Sequence, residues 1–321
     1  MKILLTGATG FVGRMVVDAA MQAGHQLTAL VRQQTMQLPA EVVQIQSESN
    51  VSSDVAEHAV QGMAVVVHLA ARTHVMRETE SQPAEQYHQT NVVMTRRLAE
   101  AAAQAGVKRF VFISSVKVNG EQTLSAPFTE QDAPNPEDDY GRSKWQAEQV
   151  VQSIGKQSGM EIVILRPPLV YGPGVKGNFA SLIRWSGSRL PLPLGAVKNQ
   201  RSLVALENLV SAIMLVISHP GAANQTYLLA DDEVISTPEL IRQIARVKQR
   251  KATLVPMPVR LLQLMAATMG KRAVVDRLLG SLEVDATKIS QQLGWQPVIT
   301  MAEQLQKCVA ASMDLPSSQE H

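Results

Sequence analysis

Cysteine is nearly absent from this chain. Its 321 residues contain one, Cys308, so no intrachain disulfide can form and a reducing compartment fits. Cys308 stands in an alanine- and valine-rich tail segment, where a free cysteine reads as a small, half-buried helix residue rather than a nucleophile. Aromatic residues make up only 4%, and no basic run accompanies them. A role in nucleic-acid binding therefore lacks both the stacking platform and the concentrated positive face that it needs. Neither sign of charge dominates: 30 Lys and Arg stand against 28 Asp and Glu, a net charge of +2. Long apolar runs are missing too. The longest uncharged candidates, around 208–219 and 259–270, are too short to span a membrane. The opening MKILLTGATGFVG breaks at Gly7 instead of running on into a signal segment. The expectation is a cytoplasmic protein with no integral membrane segment.

Apolar residues are plentiful, at 45%, enough for a substantial core. In the first half they alternate between two rhythms. Short apolar runs at 2–6, 26–31, 64–70, 107–115 and 161–167 read as strands, and 12–22, 52–61, 86–105 and 141–157 as helices. Apolar strands separated by helices imply a parallel sheet covered on both faces. After residue 167 loops rich in Gly and Pro interrupt the pattern. Helices are expected at 178–185, 206–218, 237–247, 258–268, 286–293 and 302–312, and TYLLA (226–230) as a strand returning to the sheet. The expected division is a sheet domain over 1–167, a smaller, mostly helical lobe over 168–315 and a flexible tail, 316–321.

The first loop carries chemistry. GATGFVG places Gly7, Gly10 and Gly13 between the first strand and the first helix. The first glycine permits the tight turn, the second lets backbone approach a pyrophosphate, and the third lets the helix pack on the sheet with its N-terminus toward the phosphates. In this context the string reads as a dinucleotide site of the Rossmann type, with Thr9, Phe11 and Val12 in the same loop. The second strand ends at Leu30, Val31 and Arg32 with no acid over 30–34. An acid there grips a free ribose hydroxyl, whereas an arginine takes a 2′-phosphate. Arg32 thus favours NADP(H), with NAD(H) still open.

YGRSK, residues 140–144, puts Tyr140 and Lys144 four apart on a helix and hence on one face. A nearby ammonium favours the phenolate and lowers the pKa of tyrosine. A hydroxyl from the end of the fifth strand, Ser114 or Ser115, completes a polar cluster at the carboxyl edge of the sheet. Such a group suits proton transfer to an oxygen while hydride moves at carbon.

These residues, with HLAA (68–71), Asn91 in QTNVVMTRRL, SSVKVNG (114–120), RPPLVYGPG (166–174) and DATKISQQLGW (285–295), resemble the extended short-chain dehydrogenase/reductase family over nearly the whole chain. The similarity lies with its nucleotide-sugar epimerase, dehydratase and 4-keto reductase branch. It implies Ser115, Tyr140 and Lys144 as catalytic residues. It also implies a cofactor edge lined by Leu69, Ala70, Ala71, Asn91, Ser114 and Pro167. Asn119 replaces the tyrosine usual in that motif. Val116 and Lys117 stand where related 4,6-dehydratases carry Asp-Glu, and valine cannot exchange a proton, which argues against dehydration.

For a substrate diphosphate the candidates are Arg201, Asn178, Lys117 and Arg72, with Arg277 or Arg272 as a second arginine; bidentate guanidinium–phosphate pairs are strong and directional. His74, beside Arg72, reads as structural. The resemblance implies an NAD(P)H-dependent 4-keto reductase of a UDP-2-acetamido-2,6-dideoxy-4-hexulose, in O-antigen or capsule synthesis. The alternative is an NAD-dependent 4-epimerase of a UDP-hexose or an N-acetylhexosamine. A cofactor-bound scaffold without catalysis is opposed by the intact Ser115, Tyr140 and Lys144. The family's habit of pairing two helices per subunit implies a homodimer through 86–105 and 141–157, with Val92, Leu98 and Ala102 on the exterior of the first.

Overall fold

The computed structural model describes residues 1–48, 51–73, 83–188, 191–268, 275 and 278–313. The first half runs β1 (Lys2–Thr6), α1 (Phe11–Gln22), β2 (Gln26–Val31), β3 (Val43–Gln46), α2 (Ser53–Val60), β4 (Val65–His68), α3 (Pro83–Tyr87), a π-helical stretch (His88–Val93), α4 (Met94–Gln104), β5 (Arg109–Ile113), α5 (Asp139–Ser158) and β6 (Glu161–Arg166). The second half adds β7 (Leu169–Tyr171), α6 (Gly177–Trp185), β8 (Arg201–Ala205), α7 (Leu206–Val216), β9 (Gln225–Leu228), β10 (Val234–Ile235), α8 (Thr237–Val247), α9 (Val259–Thr268), α10 (Thr287–Leu293) and α11 (Met301–Met313).

Seven strands form one sheet in the order β3-β2-β1-β4-β5-β6-β9, and every pair in it is parallel. The central strands are buried along their length because helices cover both faces. Val16 and Val17 of α1 pack with Leu209 and Ile213 of α7 on one side. Leu98 and Ala102 of α4 pack with Val151 and Ile154 of α5 on the other. The strand order reverses on either side of β1, so the crevice between the carboxyl ends of β1 and β4 is where a ligand of this fold sits. The architecture is the expected doubly wound α/β sheet with a helical lobe, and the returning strand lies at 225–228, paired with β6.

Four differences from the sequence reading have physical reasons. The helix expected over 86–105 is three segments, because a π-helical stretch interrupts the α-helical bonding at His88–Val93. Strand β3, VQIQ, was not expected; it is an edge strand with both ends exposed, so it lacks an apolar run. The lobe is not wholly helical, since β10, β8 and β7 form a second, three-stranded sheet. Val92, Leu98 and Ala102 are buried against the sheet. The outer face of α4 carries Arg96, Glu100 and Gln104 instead, so these three apolar residues are not on its exterior. His74, Arg272, Arg277 and the tail over 316–321 lie outside the described residues. Among the described residues no helix is long and apolar enough to cross a membrane.

Candidate active site

The glycine loop is a cradle that side chains would fill. Gly7 has φ +73°, and a Cβ on it would lie 2.9 Å from the Ala70 nitrogen, so β-branched or even alanyl residues are barred twice over. A Cβ on Gly13 would lie 2.0 Å from the Gly7 carbonyl oxygen. The third glycine therefore serves the close packing of α1 on the loop backbone itself, rather than on the sheet as expected. Helix α1 starts at Gly10 without a side-chain cap and with no acid in its first turn, leaving backbone N–H groups and a positive helix end toward the crevice. Thr9 and Arg32 line a cleft of about 920 Å³ beside this loop, together with Gln34 and Glu48.

At the end of β5, Ser114 Oγ is buried without a hydrogen-bond partner. A buried hydroxyl left so is costly unless a ligand meets it. The cradle, the uncapped helix start and this hydroxyl together fit a dinucleotide. Its neighbour Ser115 stands close enough to the Tyr140 hydroxyl to act on its titration, and its Oγ accepts from the Lys117 N–H at 3.3 Å. Tyr140 and Lys144 open helix α5, whose start is set by Asp138: its Oδ1 accepts from the Gly141 N–H at 2.7 Å. Gly141 is required there, since a Cβ would stand 2.9 Å from the Lys117 carbonyl.

The electrostatics differ from the simple expectation that the ammonium lowers the phenol's pKa. Lys144 is 2% exposed, and its Nζ lies 4.0 Å from the centre of the Phe112 ring. Burial brings its pKa down to about 7, with Glu148 pulling the other way. The Tyr140 pKa is raised, by burial first and then by Asp138, while the Ser115 hydroxyl opposes both. A half-neutral ammonium does not offset the desolvation of the phenol. Serine, tyrosine and lysine are thus brought together, in a state where the tyrosine holds its proton.

Asn91 sits in the π-helical stretch and clamps the loop after β4. Its Oδ1 accepts from the Arg72 N–H at 2.7 Å, and its Nδ2 donates to the Arg72 carbonyl at 3.0 Å and to Ser143 Oγ at 2.9 Å. This holds Leu69, Ala70 and Ala71 at the crevice, each half-buried. Pro167 lies opposite: its carbonyl accepts from the Val116 N–H at 3.0 Å.

Of the substrate candidates, Arg72 lies over the Tyr87 ring at 5.6 Å, and Tyr87 meets Tyr140 edge-on at 6.2 Å, so Arg72 borders the site. Lys117 is turned away from this role: it ion-pairs with Glu121 at 2.8 Å and with Asp138. Burial alone would raise the Asp138 pKa, but the Lys117 bond and the Gly141 N–H outweigh it and hold the carboxyl low. Lys117 hence fixes the start of α5. Asn178 is exposed near the start of α6. Arg201 begins β8 and donates to the Gly280 carbonyl at 3.1 Å; burial lowers its pKa.

Two groups went unread in the sequence. Asp138 had a legible signal, an acid just before the first helical residue. The other is a buried cluster behind α5. Arg166 holds Glu148 by two bonds of 2.9 and 2.6 Å, and Asn119 Oδ1 by one of 3.0 Å.

A doubly wound sheet, a glycine cradle at its switch point and a Ser–Tyr–Lys group on the same edge define an NAD(P)-dependent oxidoreductase or epimerase of the extended short-chain dehydrogenase/reductase superfamily. Residues 3–230 match the profile of the NAD dependent epimerase/dehydratase family, and the chain belongs to that family. It is 43% identical over 305 residues to a UDP-glucose 4-epimerase of Vibrio cholerae, covering 94% of this chain and 92% of that one. Among solved structures, it is similar to MoeE5 in complex with UDP-glucose and NAD, with a TM-score of 0.78 and 24% identity over 98% of this chain and 99% of that one. It is likewise similar to a UDP-glucuronic acid 4-epimerase of Bacillus cereus in complex with NAD, with a TM-score of 0.80 and 20% identity over 98% and 97%. Both structures hold NAD. The preference for NADP(H) drawn from Arg32 is corrected accordingly: Arg32 is an exposed residue at the cleft mouth, and a lone exposed arginine does not decide between the two cofactors.

Proposed function

We propose that this chain is an NAD-dependent 4-epimerase of a UDP-hexose or UDP-N-acetylhexosamine. The observation that carries the reading is the 43% identity to the Vibrio cholerae UDP-glucose 4-epimerase across 94% of the chain, joined to a Ser115–Tyr140–Lys144 group with no acid–base pair after the serine. The 4-keto reductase expected from the sequence leaned on an exchangeable NADPH, and that support is gone.

Gly7, Gly10, Gly13 and the start of α1 would hold the pyrophosphate of NAD, and Ser114 Oγ would meet its nicotinamide end. Bound NAD supplies a hydride acceptor and then a hydride donor at C4 of the sugar. With the positive charge of bound NAD added beside Lys144, Tyr140 would lose its proton. As the phenolate it would take the proton of the C4 hydroxyl and, once the 4-keto sugar has turned its other face, give it back to the same oxygen, with Ser115 holding that oxygen. Lys144 adjusts the charge around the phenol and takes a ribose hydroxyl. Arg72 and Arg201 are the cations that this reading assigns to the diphosphate. The sheet with its loops, 1–167, carries the cofactor, and 168–315 mainly the sugar nucleotide.

The test uses protein purified without added cofactor. Interconversion of UDP-glucose and UDP-galactose, or of their 2-acetamido forms, is expected without external nucleotide, and Tyr140→Phe is expected to lower kcat by about 100-fold or more. Consumption of NADPH by a 4-keto sugar nucleotide, with no epimer formed, would refute the proposal.

A further inference from the structure

We infer that His68 is a positioning residue for this site: it links the cofactor loop after β4 to the helix that carries Tyr140 and Lys144. The side chain ends β4 and is fully buried, yet both ring nitrogens are engaged. Nδ1 lies 2.7 Å from Thr6 Oγ1, and Nε2 lies 2.9 Å from Thr95 Oγ1.

The direction of every bond follows from its neighbours. Thr95 Oγ1 donates its one proton to the Asn91 carbonyl at 2.7 Å, so it accepts from His68, and Nε2 bears a proton. Thr6 Oγ1 accepts from the Ala70 N–H at 3.1 Å and donates to Nδ1, which is bare. The ring is thus neutral, with its proton on Nε2. A second proton on Nδ1 would make the Thr6 hydroxyl turn to accept from it, and the hydroxyl proton, buried here, would lose the acceptor that Nδ1 gives it.

The packing agrees. His68 stacks on Phe112 at 5.8 Å and 20°, and the same Phe112 ring carries Lys144 Nζ at 4.0 Å. A charged imidazole would share that ring with the ammonium. Burial, with Lys144 second, brings the His68 pKa down to about 3.

From Asn91 the chain of bonds goes on. Asn91 Nδ2 donates to Ser143 Oγ, and Ser143 Oγ donates to the Tyr140 carbonyl at 2.8 Å. One continuous path therefore runs from strand β1, through His68, to the first turn of α5. It crosses the two walls between which nicotinamide and sugar must meet. The imidazole touches neither. It fixes the distance between the groups that do, and a displacement of that order is costly to rate.

The inference rests on the epimerase reading for its rate measurements only. Thr95→Val removes the acceptor at Nε2 and keeps the shape, and Thr95→Ser restores it. With His68→Phe they make a test that survives the failure of one variant to fold. Expected are a fall in kcat of about tenfold for Thr95→Val and for His68→Phe, KM for the UDP-sugar within about twofold, near wild-type rates for Thr95→Ser, and no further loss in the double variant, since both substitutions cut one path. Nitrogen-15 NMR of the unsubstituted protein at neutral pH should show His68 with one ring proton, on Nε2. Additive losses, unchanged kcat in both single variants, or a protonated Nδ1 would overturn the inference. A wild-type protein inactive on every UDP-sugar would sink the epimerase reading instead. The tautomer, and an NAD affinity weakened in Thr95→Val but kept in Thr95→Ser, would still decide the role of His68.

Discussion

Lys144 is a lysine kept where water cannot reach it, and that has a measurable consequence. The unfolded chain keeps this group protonated up to about its ordinary pKa of 10.5, whereas the folded protein releases the proton near 7. Between those values folding releases a proton, so the unfolded state binds more of them and stability rises with pH across the window. Below pH 7 the fold bears the full cost of a buried ammonium. Lys144→Met removes that cost. The variant's advantage in stability over wild type is therefore expected to be greatest near pH 6 and to shrink by on the order of 3 kcal/mol by pH 10. Urea denaturation at both pH values measures it; a difference that stays constant would show that Lys144 titrates normally. The residues themselves were legible in the sequence, since the spacing of Tyr140 and Lys144 fixes a shared helix face. The direction of their titration was not. Spacing says which groups are near, while burial says which charges survive, and burial of Lys144 depends on Phe112 from another element.

At the scale of elements, α5 is the piece on which the site hangs, and it is fastened at both ends of its first half. Its start is capped by Asp138, and one turn past Lys144 it is held to β6 by Glu148 and Arg166. Glu148 is fully buried and Arg166 is 4% exposed. Removing one member of such a pair leaves the other charged and without its partner, which costs about 3–5 kcal/mol, whereas replacing both with apolar residues is nearly neutral. Glu148→Leu is expected to destabilise by that amount and to weaken activity, and Glu148→Leu with Arg166→Met to recover most of the stability. Denaturant midpoints of the two variants give the comparison; equal losses in both would mean that the ion pair itself is not what fastens α5. Asn119 now has a meaning that its motif could not supply. Where the family pattern has an aromatic ring, this chain uses an amide, whose Oδ1 accepts a third hydrogen bond from Arg166 at 3.0 Å and whose Nδ2 donates to the Thr129 carbonyl at 2.9 Å. Helix α5 itself was readable from its acid-rich lead and glycine end. The π-helical stretch at Asn91 was not, because an extra residue in a helical turn alters no apolar period within so short a segment.

The whole molecule is tied by a polar staple that no local pattern announces. The change of rhythm at residue 167 is a change in composition. It could not show how the chain crosses back, since those contacts join residues far apart in sequence. Asp231, just past β9 of the large sheet, accepts from the Tyr171 hydroxyl at 2.7 Å, from the Ala205 N–H at 3.0 Å and from Asn208 Nδ2 at 2.7 Å. Asn208, in α7, in turn accepts from the N–H groups of Val298 and Ile299 at 2.7 and 3.0 Å and donates to the Ile299 carbonyl at 2.9 Å. Two side chains thus join both sheets, α7 and the segment leading into α11. Asn208 is fully buried, so its loss strands two N–H groups, a carbonyl and part of a carboxylate at once. Each buried orphan costs about 1–3 kcal/mol, and water entering the gap returns some of it. Asn208→Ala is therefore expected to lower stability by about 3 kcal/mol in one cooperative step. The step should be the same by far-ultraviolet circular dichroism and by fluorescence, to which Trp295 contributes: it is buried, with its Nε1 donating to Ser211 Oγ at 3.0 Å in α7. If the two probes part, with the fluorescence lost well before the sheet, the lobe is an independent unit that unfolds on its own. The staple would then be a local clasp and not the bond that makes one molecule of two sheets.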